Sequence, residues 1–155
     1  MNILHIRIDD RLIHGQVLVG WGTKYLYEAY VICDGELAVS DWEKEIYLAA
    51  VPTEAKGMII TPEEFPGFLK ENSFDRLMVL FRSPAELRKS IAAGYVPEEV
   101  IVGGMHDKTG RKRIYDYLYL SDEDIRIFRE MMSLGVHFIC RDLPDHPSHE
   151  LSSVL

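Results

Sequence analysis

Leu77-Met78-Val79-Leu80-Phe81 is an unbroken apolar run of strand length, and one residue later the chain reads Ser83-Pro84-Ala85-Glu86. Alternate residues of a strand face opposite sides, so an apolar run of this kind needs cover on both faces. Ser83 followed by Glu86, with proline between, has the pattern of a capping box with Pro at the first helical position. It predicts a helix to about Ala93, ended by Gly94. A doubly buried strand followed at once by a capped helix is the unit from which parallel α/β sheets are built.

The same alternation extends in both directions. Upstream, Asn2 to Asp9 alternates as a strand, Ile13 to Leu26 carries helical spacing through Val17, Leu18, Trp21 and Tyr25, and Ala29 to Cys33 is a short strand. Asp41 to Ala50 reads as a helix with Trp42, Ile46 and Ala49 on one stripe, stopped by Pro52. Gly57 to Ile60 is a strand, and Thr61-Pro62-Glu63-Glu64 opens another helix. Downstream, the strand Glu99 to Val102 runs into Gly103-Gly104. Ser121-Asp122-Glu123-Asp124 starts a last helix that ends at Gly135, and Val136 to Cys140 is the last strand. Ile114 to Leu120 alternates as a strand and follows 99–102 with only a loop between, so it is expected to break the parallel pattern. The fold predicted is an open, mostly parallel, twisted α/β sheet of six to seven strands, one antiparallel, with helices on both faces. It forms a single domain, 1–155, with a polar tail from about Asp142. Sites in such sheets lie at the carboxyl ends of the strands, here loops 9–15, 33–38, 61–62, 81–84 and 103–111.

Composition narrows the chemistry. Of 155 residues, 47% are hydrophobic and 27% charged, ordinary for a globular domain. The longest apolar run, Ile46 to Val51, has six residues, whereas a spanning helix needs about 20. The start of the chain lacks the pattern of a secretory signal. With 17 Lys and Arg against 25 Asp and Glu the net charge is −8, which argues against a nucleic-acid partner. Cys33 and Cys140 each end an apolar stretch and read as buried thiols, and without a C-x-x-C pair no cysteine-based metal or redox site is expected. His146 and His149, with Asp142 and Asp145, could gather a cation but read as a solvated tail, so neither metal nor organic cofactor is expected.

The most unusual loop is Arg7-Ile8-Asp9-Asp10-Arg11-Leu12-Ile13-His14-Gly15-Gln16-Val17. His14 falls just beyond the first strand, beside the start of the first helix, where free backbone N–H groups favour an anion. Arg11 adds a planar fork matched to phosphate oxygens. The helix start disfavours imidazolium, and Asp9 or Asp10 could fix the ring's tautomer or orient Arg11. These are the parts of a phosphohistidine site. On the residues alone, Asp10 as a helix cap and His14 as a surface histidine remain open.

The stretch Arg7 to Val17, with Trp21 on the helix after it, closely resembles the active-site segment of the IIB component of the mannose/fructose/sorbose-type sugar phosphotransferase system. Further resemblances lie at Asp34, Ala38-x-x-Asp41, Ala50-x-Pro52, Ser83-Pro84, Val102-Gly103-Gly104-Met105, Gly135-Val136 and Leu143-Pro144, so the likeness spans the chain. Cys33, Ile101 and Arg141 depart from the family pattern. The resemblance implies a phosphocarrier: His14 takes a phosphoryl group from a IIA partner and passes it to a sugar moved by membrane IIC and IID partners. It implies His14 as nucleophile and Arg11 as the clamp on the phosphoryl oxygens. From the residues themselves, Asp10 is a further catalytic candidate and Gly15 and Gln16 are candidate phosphoryl contacts in the same loop, while Arg82 and the Ser83 hydroxyl could reach the site from loop 81–84, where Ser83 also caps its helix. The resemblance also implies a cytoplasmic protein associated peripherally with a membrane permease, with a homodimer left open. The alternatives are a IIB-like regulatory module uncoupled from transport and, more remotely, a histidine phosphatase. The phosphatase triplet Arg-His-Gly is broken here by Leu12 and Ile13. Tyr115, Tyr117 and Tyr119 share one strand face, for packing or for a subunit interface. Arg111-Lys112-Arg113 is the one compact basic run, either a solvated loop or a surface meeting an acidic IIA or membrane partner.

Overall fold

The computed structural model describes residues 2–15 and 17–155. In chain order the elements are β1 (Ile3–Ile8), a π-helical segment (Val17–Gly22) running into α1 (Thr23–Tyr25), β2 (Ala29–Cys33), α2 (Gly35–Ala38) and α3 (Asp41–Ala49). There follow β3 (Lys56–Ile60), a 3-10 turn (Pro62–Glu64) leading into α4 (Phe65–Glu71), β4 (Arg76–Phe81), α5 (Pro84–Ala92) and β5 (Glu99–Val102). The chain closes with β6 (Arg111–Tyr115), β7 (Leu118–Ser121), α6 (Asp122–Ser133), β8 (His137–Cys140), β9 (His149–Glu150) and a 3-10 turn (Leu151–Ser153).

The main sheet has seven strands in the order β3-β2-β4-β1-β5-β8-β9, parallel throughout except for β9. Period-two alternation sorts the central strands between two cores. Leu77, Val79 and Phe81 pack with Phe65, Leu87 and Phe128 on the face of α4, α5 and α6. Met78 and Leu80 pack with Val17, Trp21 and Leu37 on the face of the first helix. Register then decides what meets at the carboxyl edge. Ile8 pairs with both Phe81 and Val102, Phe81 with Cys33, and Val102 with Cys140. The next residues of these strands, Asp9, Asp34, Arg82, Gly103 and Arg141, therefore form one row.

Four local expectations are revised. Ile114–Leu120 is not one strand but the antiparallel hairpin β6–β7, outside the main sheet, with its turn at Asp116 and Tyr117. Alternation of period two does not distinguish a straight strand from a hairpin whose arms share a face. The antiparallel strand of the main sheet is β9, in the segment read as a polar tail. It covers the edge of β8, and Leu151 behind it is fully buried. A two-residue strand and a single apolar anchor are too short for a periodic signal. On α3 the stripe faces outward: Trp42 is 66% and Ile46 58% exposed, while Tyr47 supplies the packing. Finally, the Ser83 hydroxyl does cap α5 by accepting the Glu86 N–H at 3.3 Å, but the Glu86 carboxylate turns to the Gly35 N–H and to Lys89. Full reciprocal capping boxes occur at Thr61/Glu64 and Ser121/Asp124.

Candidate functional site

At the end of β1 the chain turns so that Leu12 takes a left-handed conformation, φ 57°. That conformation costs about 1–2 kcal/mol for a non-glycine residue. Burial of the Leu12 and Ile13 side chains in the core beneath the first helix offsets it. The turn closes with the Leu12 N–H donating to the Asp9 carbonyl at 3.0 Å. Its result is that His14 returns to the mouth of the strand, where its own carbonyl accepts the first helical bond, from the Leu18 N–H at 3.0 Å.

Asp9 is the hub of the loop, and its carboxylate is fully buried. Oδ2 lies 3.0 Å from His14 Nε2, and accepts from Arg7 Nη2 and the Gly104 N–H, each at 3.3 Å. Oδ1 accepts the Arg11 N–H at 3.1 Å and faces the Arg11 guanidinium at 3.5 Å. Burial alone would raise the Asp9 carboxyl pKa, but the His14 hydrogen bond and the Arg7 charge outweigh it, so the group sits below its ordinary value and is ionised.

Arg7 is itself fully buried, and it ties the site to the far end of the chain. Its guanidinium donates to the carbonyls of Arg141 at 2.8 Å and Asp142 at 3.0 Å, and lies 5.1 Å from the centre of the Trp21 ring. Trp21 Nε1 donates to the same Asp142 carbonyl at 2.8 Å. Burial lowers the Arg7 pKa and the Asp9 charge opposes that effect. Gly103 makes room for this arginine, because a Cβ there would collide with the guanidinium. At Gly104 a Cβ would press on Arg11 Nη2 at 3.0 Å.

The expected residues divide accordingly. His14 and Arg11 come together, joined through Asp9. Asp10 does not face His14: its oxygens hold the His106 ring at 2.6 Å and the His106 N–H at 2.8 Å, with Arg111 at 3.5 Å. The chain turns at Asp10 and Arg11, and the Asp10 carboxylate faces the loop after β5 while that of Asp9 stays inward. Arg82 reaches the same edge of the sheet but pairs with Asp34 at 3.1 Å, and Ser83 is engaged as a helix cap. Gly15 opens the helix on its exposed side, and Gln16 lies outside the described residues. The basic run is neutralised: Arg111 pairs with Asp10 and Asp124, Lys112 with Asp122, and Arg113 with Asp116. In the tail, His146 binds Asp142 while His149 stacks on Tyr115, so the two do not converge. Arg7 and Gly103 appeared in the sequence only as motif letters, and their roles rest on a contact between β1 and the segment after β8.

Comparison with known proteins identifies the family. The model of the PTS system sorbose subfamily IIB component matches residues 3–155. The PTS system fructose-specific EIIB component of Bacillus subtilis is 27% identical, over 100% of this chain and 96% of its own. The crystal structure of the PTS system N-acetylgalactosamine-specific IIB component 1 from Escherichia coli superposes with a TM-score of 0.86 at 28% identity, covering 97% of this chain and 99% of that one. The Escherichia coli PTS system mannose-specific EIIAB component is 22% identical over 96% of this chain but only 47% of its own length. The chain belongs to the sorbose-subfamily IIB components of the phosphotransferase system, which are sugar phosphotransferase components. Among the described residues no helix is long and apolar enough to cross a membrane.

Proposed function

We propose that His14 accepts a phosphoryl group on Nδ1 from a phosphohistidine of a IIA partner and gives it to a sugar carried by membrane IIC and IID partners. The observation that carries this reading is the 3.0 Å contact between Asp9 Oδ2 and His14 Nε2. An ionised carboxylate takes the proton-bearing nitrogen, which places the ring's lone pair on Nδ1. On attack the new N–P bond forms at Nδ1, the donor's N–P bond breaks, and the donor nitrogen keeps the electron pair. The positive charge that develops on the His14 ring then lies against Asp9. Arg11, 34% exposed, is placed to hold the phosphoryl oxygens. Arg7 acts through Asp9, by fixing its orientation.

Support for the IIA partner comes from the relative named EIIAB, about half of which this chain matches. The relatives are named for fructose, N-acetylgalactosamine and mannose, so the likeness supports a sugar as acceptor without selecting one. The test is incubation with a phosphorylated IIA protein. The expected label is stoichiometric, acid-labile and alkali-stable, and absent in His14→Ala. Stoichiometric labelling of His14→Ala would overturn the assignment.

A further inference from the structure

The outward stripe of α3 carries large apolar side chains into solvent. Trp42 and Ile46, 66% and 58% exposed, are four residues apart and share one side of the helix, and Val39 just before it is 82% exposed. Tryptophan is mostly buried in folded chains, and an exposed apolar patch rimmed by polar groups marks an interaction site.

The stripe stands at the working end of the sheet. α2 begins one residue after Asp34, in the row that holds Asp9, and β2 is two strands from β1, about 10 Å. Because β3 runs parallel to β2, α3 descends from that edge, and Val39 and Trp42 lie at the end nearest the row. Tyr47 of α3 packs in the same core as Val17 and Trp21, so α3 and the first helix cover the same face of the sheet. One surface laid across this end would meet His14 and Trp42 together.

The rim selects the partner. With 3.6 residues per turn, Glu43 borders the stripe on one side and Asp41 and Glu45 on the other, and Glu36 precedes it on α2. None of these four carboxylates is ion-paired among the described residues. Lys44, the single cation of α3, acts on Glu64 instead. An apolar strip between unpaired acids suits a surface that offers apolar contact among Lys and Arg, and the cytoplasmic loops of membrane proteins carry such an excess of Lys and Arg. A bare lipid surface does not fit, because its anionic headgroups repel the same carboxylates. A second copy of the chain would set acid against acid.

We propose that the Val39–Trp42–Ile46 stripe, with its acidic rim, docks on the basic cytoplasmic loops of the membrane partner and so holds His14 against the place where the sugar is carried. The inference rests on the reading of His14 as a carrier that discharges into a membrane partner.

Two measurements test it. Inside-out vesicles carrying the IIC and IID subunits of its own transport system are titrated with unphosphorylated protein, beside vesicles of the same lipid without the subunits. Binding should be saturable on the first vesicles alone, weaken as salt rises, and fall at least about tenfold in Trp42→Ala. The double variant Glu43→Lys, Glu45→Lys should bind more weakly and with less dependence on salt. Absence of binding, equal binding to bare lipid, or wild-type binding by Trp42→Ala overturns the docking surface. This arm needs no phosphoryl transfer, so it decides even if His14 fails to load. In the second arm, Trp42→Ala, whose unfolding midpoint should match wild type, is loaded from phosphorylated IIA and discharged to sugar in the subunit vesicles. Loading should keep the wild-type rate while discharge at limiting vesicle concentration slows about tenfold. Slowed loading would assign the stripe to IIA, and a wild-type dimer that Trp42→Ala dissolves in sedimentation would assign it to a second copy; either overturns the proposal.

Discussion

Asp9 lies between His14 Nε2, at 3.0 Å, and Arg7 Nη2, at 3.3 Å, and one oxygen makes both contacts. A buried carboxylate so placed has two tasks that mutation can separate. As the counter-charge of Arg7 it is structural, and as the acceptor for His14 it sets a tautomer.

Asp9→Asn should reveal both. The amide leaves Arg7 without its buried counter-charge, at a cost of about 3–5 kcal/mol. It also weakens the preference for Nε2–H, and loading of His14 should fall about 10²–10⁴-fold. Urea unfolding and the initial rate of phosphoryl uptake measure the two effects. Folded Asp9→Asn that loads at the wild-type rate would show that the carboxylate does not control the nucleophile.

Gly15→Ala should move stability and transfer in opposite directions. A Cβ at Gly15 meets nothing within 4 Å, and the residue opens a helix. The substitution should add about 0.5–1 kcal/mol to stability. The added methyl would nonetheless crowd the backbone N–H groups beside His14, so uptake should slow. Uptake at the wild-type rate in this variant would place the phosphoryl group away from the helix start.

Alternation and caps made the sheet legible, because each strand and helix there carries its own periodic signal. The π-helical winding at Val17–Gly22 was not legible, and neither was the close approach of Leu143 to Gly20 and of the Tyr30 hydroxyl to Gly22, because both neighbours come from distant segments. His14 and Arg11 stood out through their position after β1. The choice of Asp9 over Asp10 did not, because it is made by Arg7 and by the Gly104 N–H, ninety-five residues further on. Likewise the basic run looked available to a partner only while its acidic neighbours, some of them on α6, were unknown.

His5 should make stability pH-dependent. Burial lowers its pKa from 6.5 to about 4, and Nδ1 lies 2.5 Å from the Tyr27 hydroxyl. The unfolded chain binds the extra proton between those values. The contribution is therefore full above about pH 6.5, declines as pH falls toward about 4, and is flat below that. With the partial exposure of the ring allowed for, about 1–2 kcal/mol should be lost across this window. Urea unfolding of wild type and His5→Phe at several pH values checks it. An equally steep slope in His5→Phe would assign the dependence to other groups.

Reversing the charges of the basic run should act on the fold more than on a partner. Arg111 is 13% exposed on its side chain, donates to the His106 carbonyl at 2.7 Å, and lies 3.5 Å from Asp10 and 3.6 Å from Asp124. Arg111→Glu puts a third carboxylate among these groups and removes the brace of the 106 loop, so it should cost about 2–3 kcal/mol. Lys112 and Arg113 are exposed and paired with exposed acids, so reversing either should change stability by less than about 0.5 kcal/mol. Because every cation of the run has an acidic neighbour, its field at a distance is small. The double variant Lys112→Glu, Arg113→Glu should leave the rate of association with phosphorylated IIA, and the salt dependence of that rate, close to wild type. Stopped-flow mixing at two ionic strengths measures both. A clear drop in rate at low salt in the double variant would restore the run as a steering surface, and an unchanged denaturation midpoint in Arg111→Glu would deny that the arginine braces the loop.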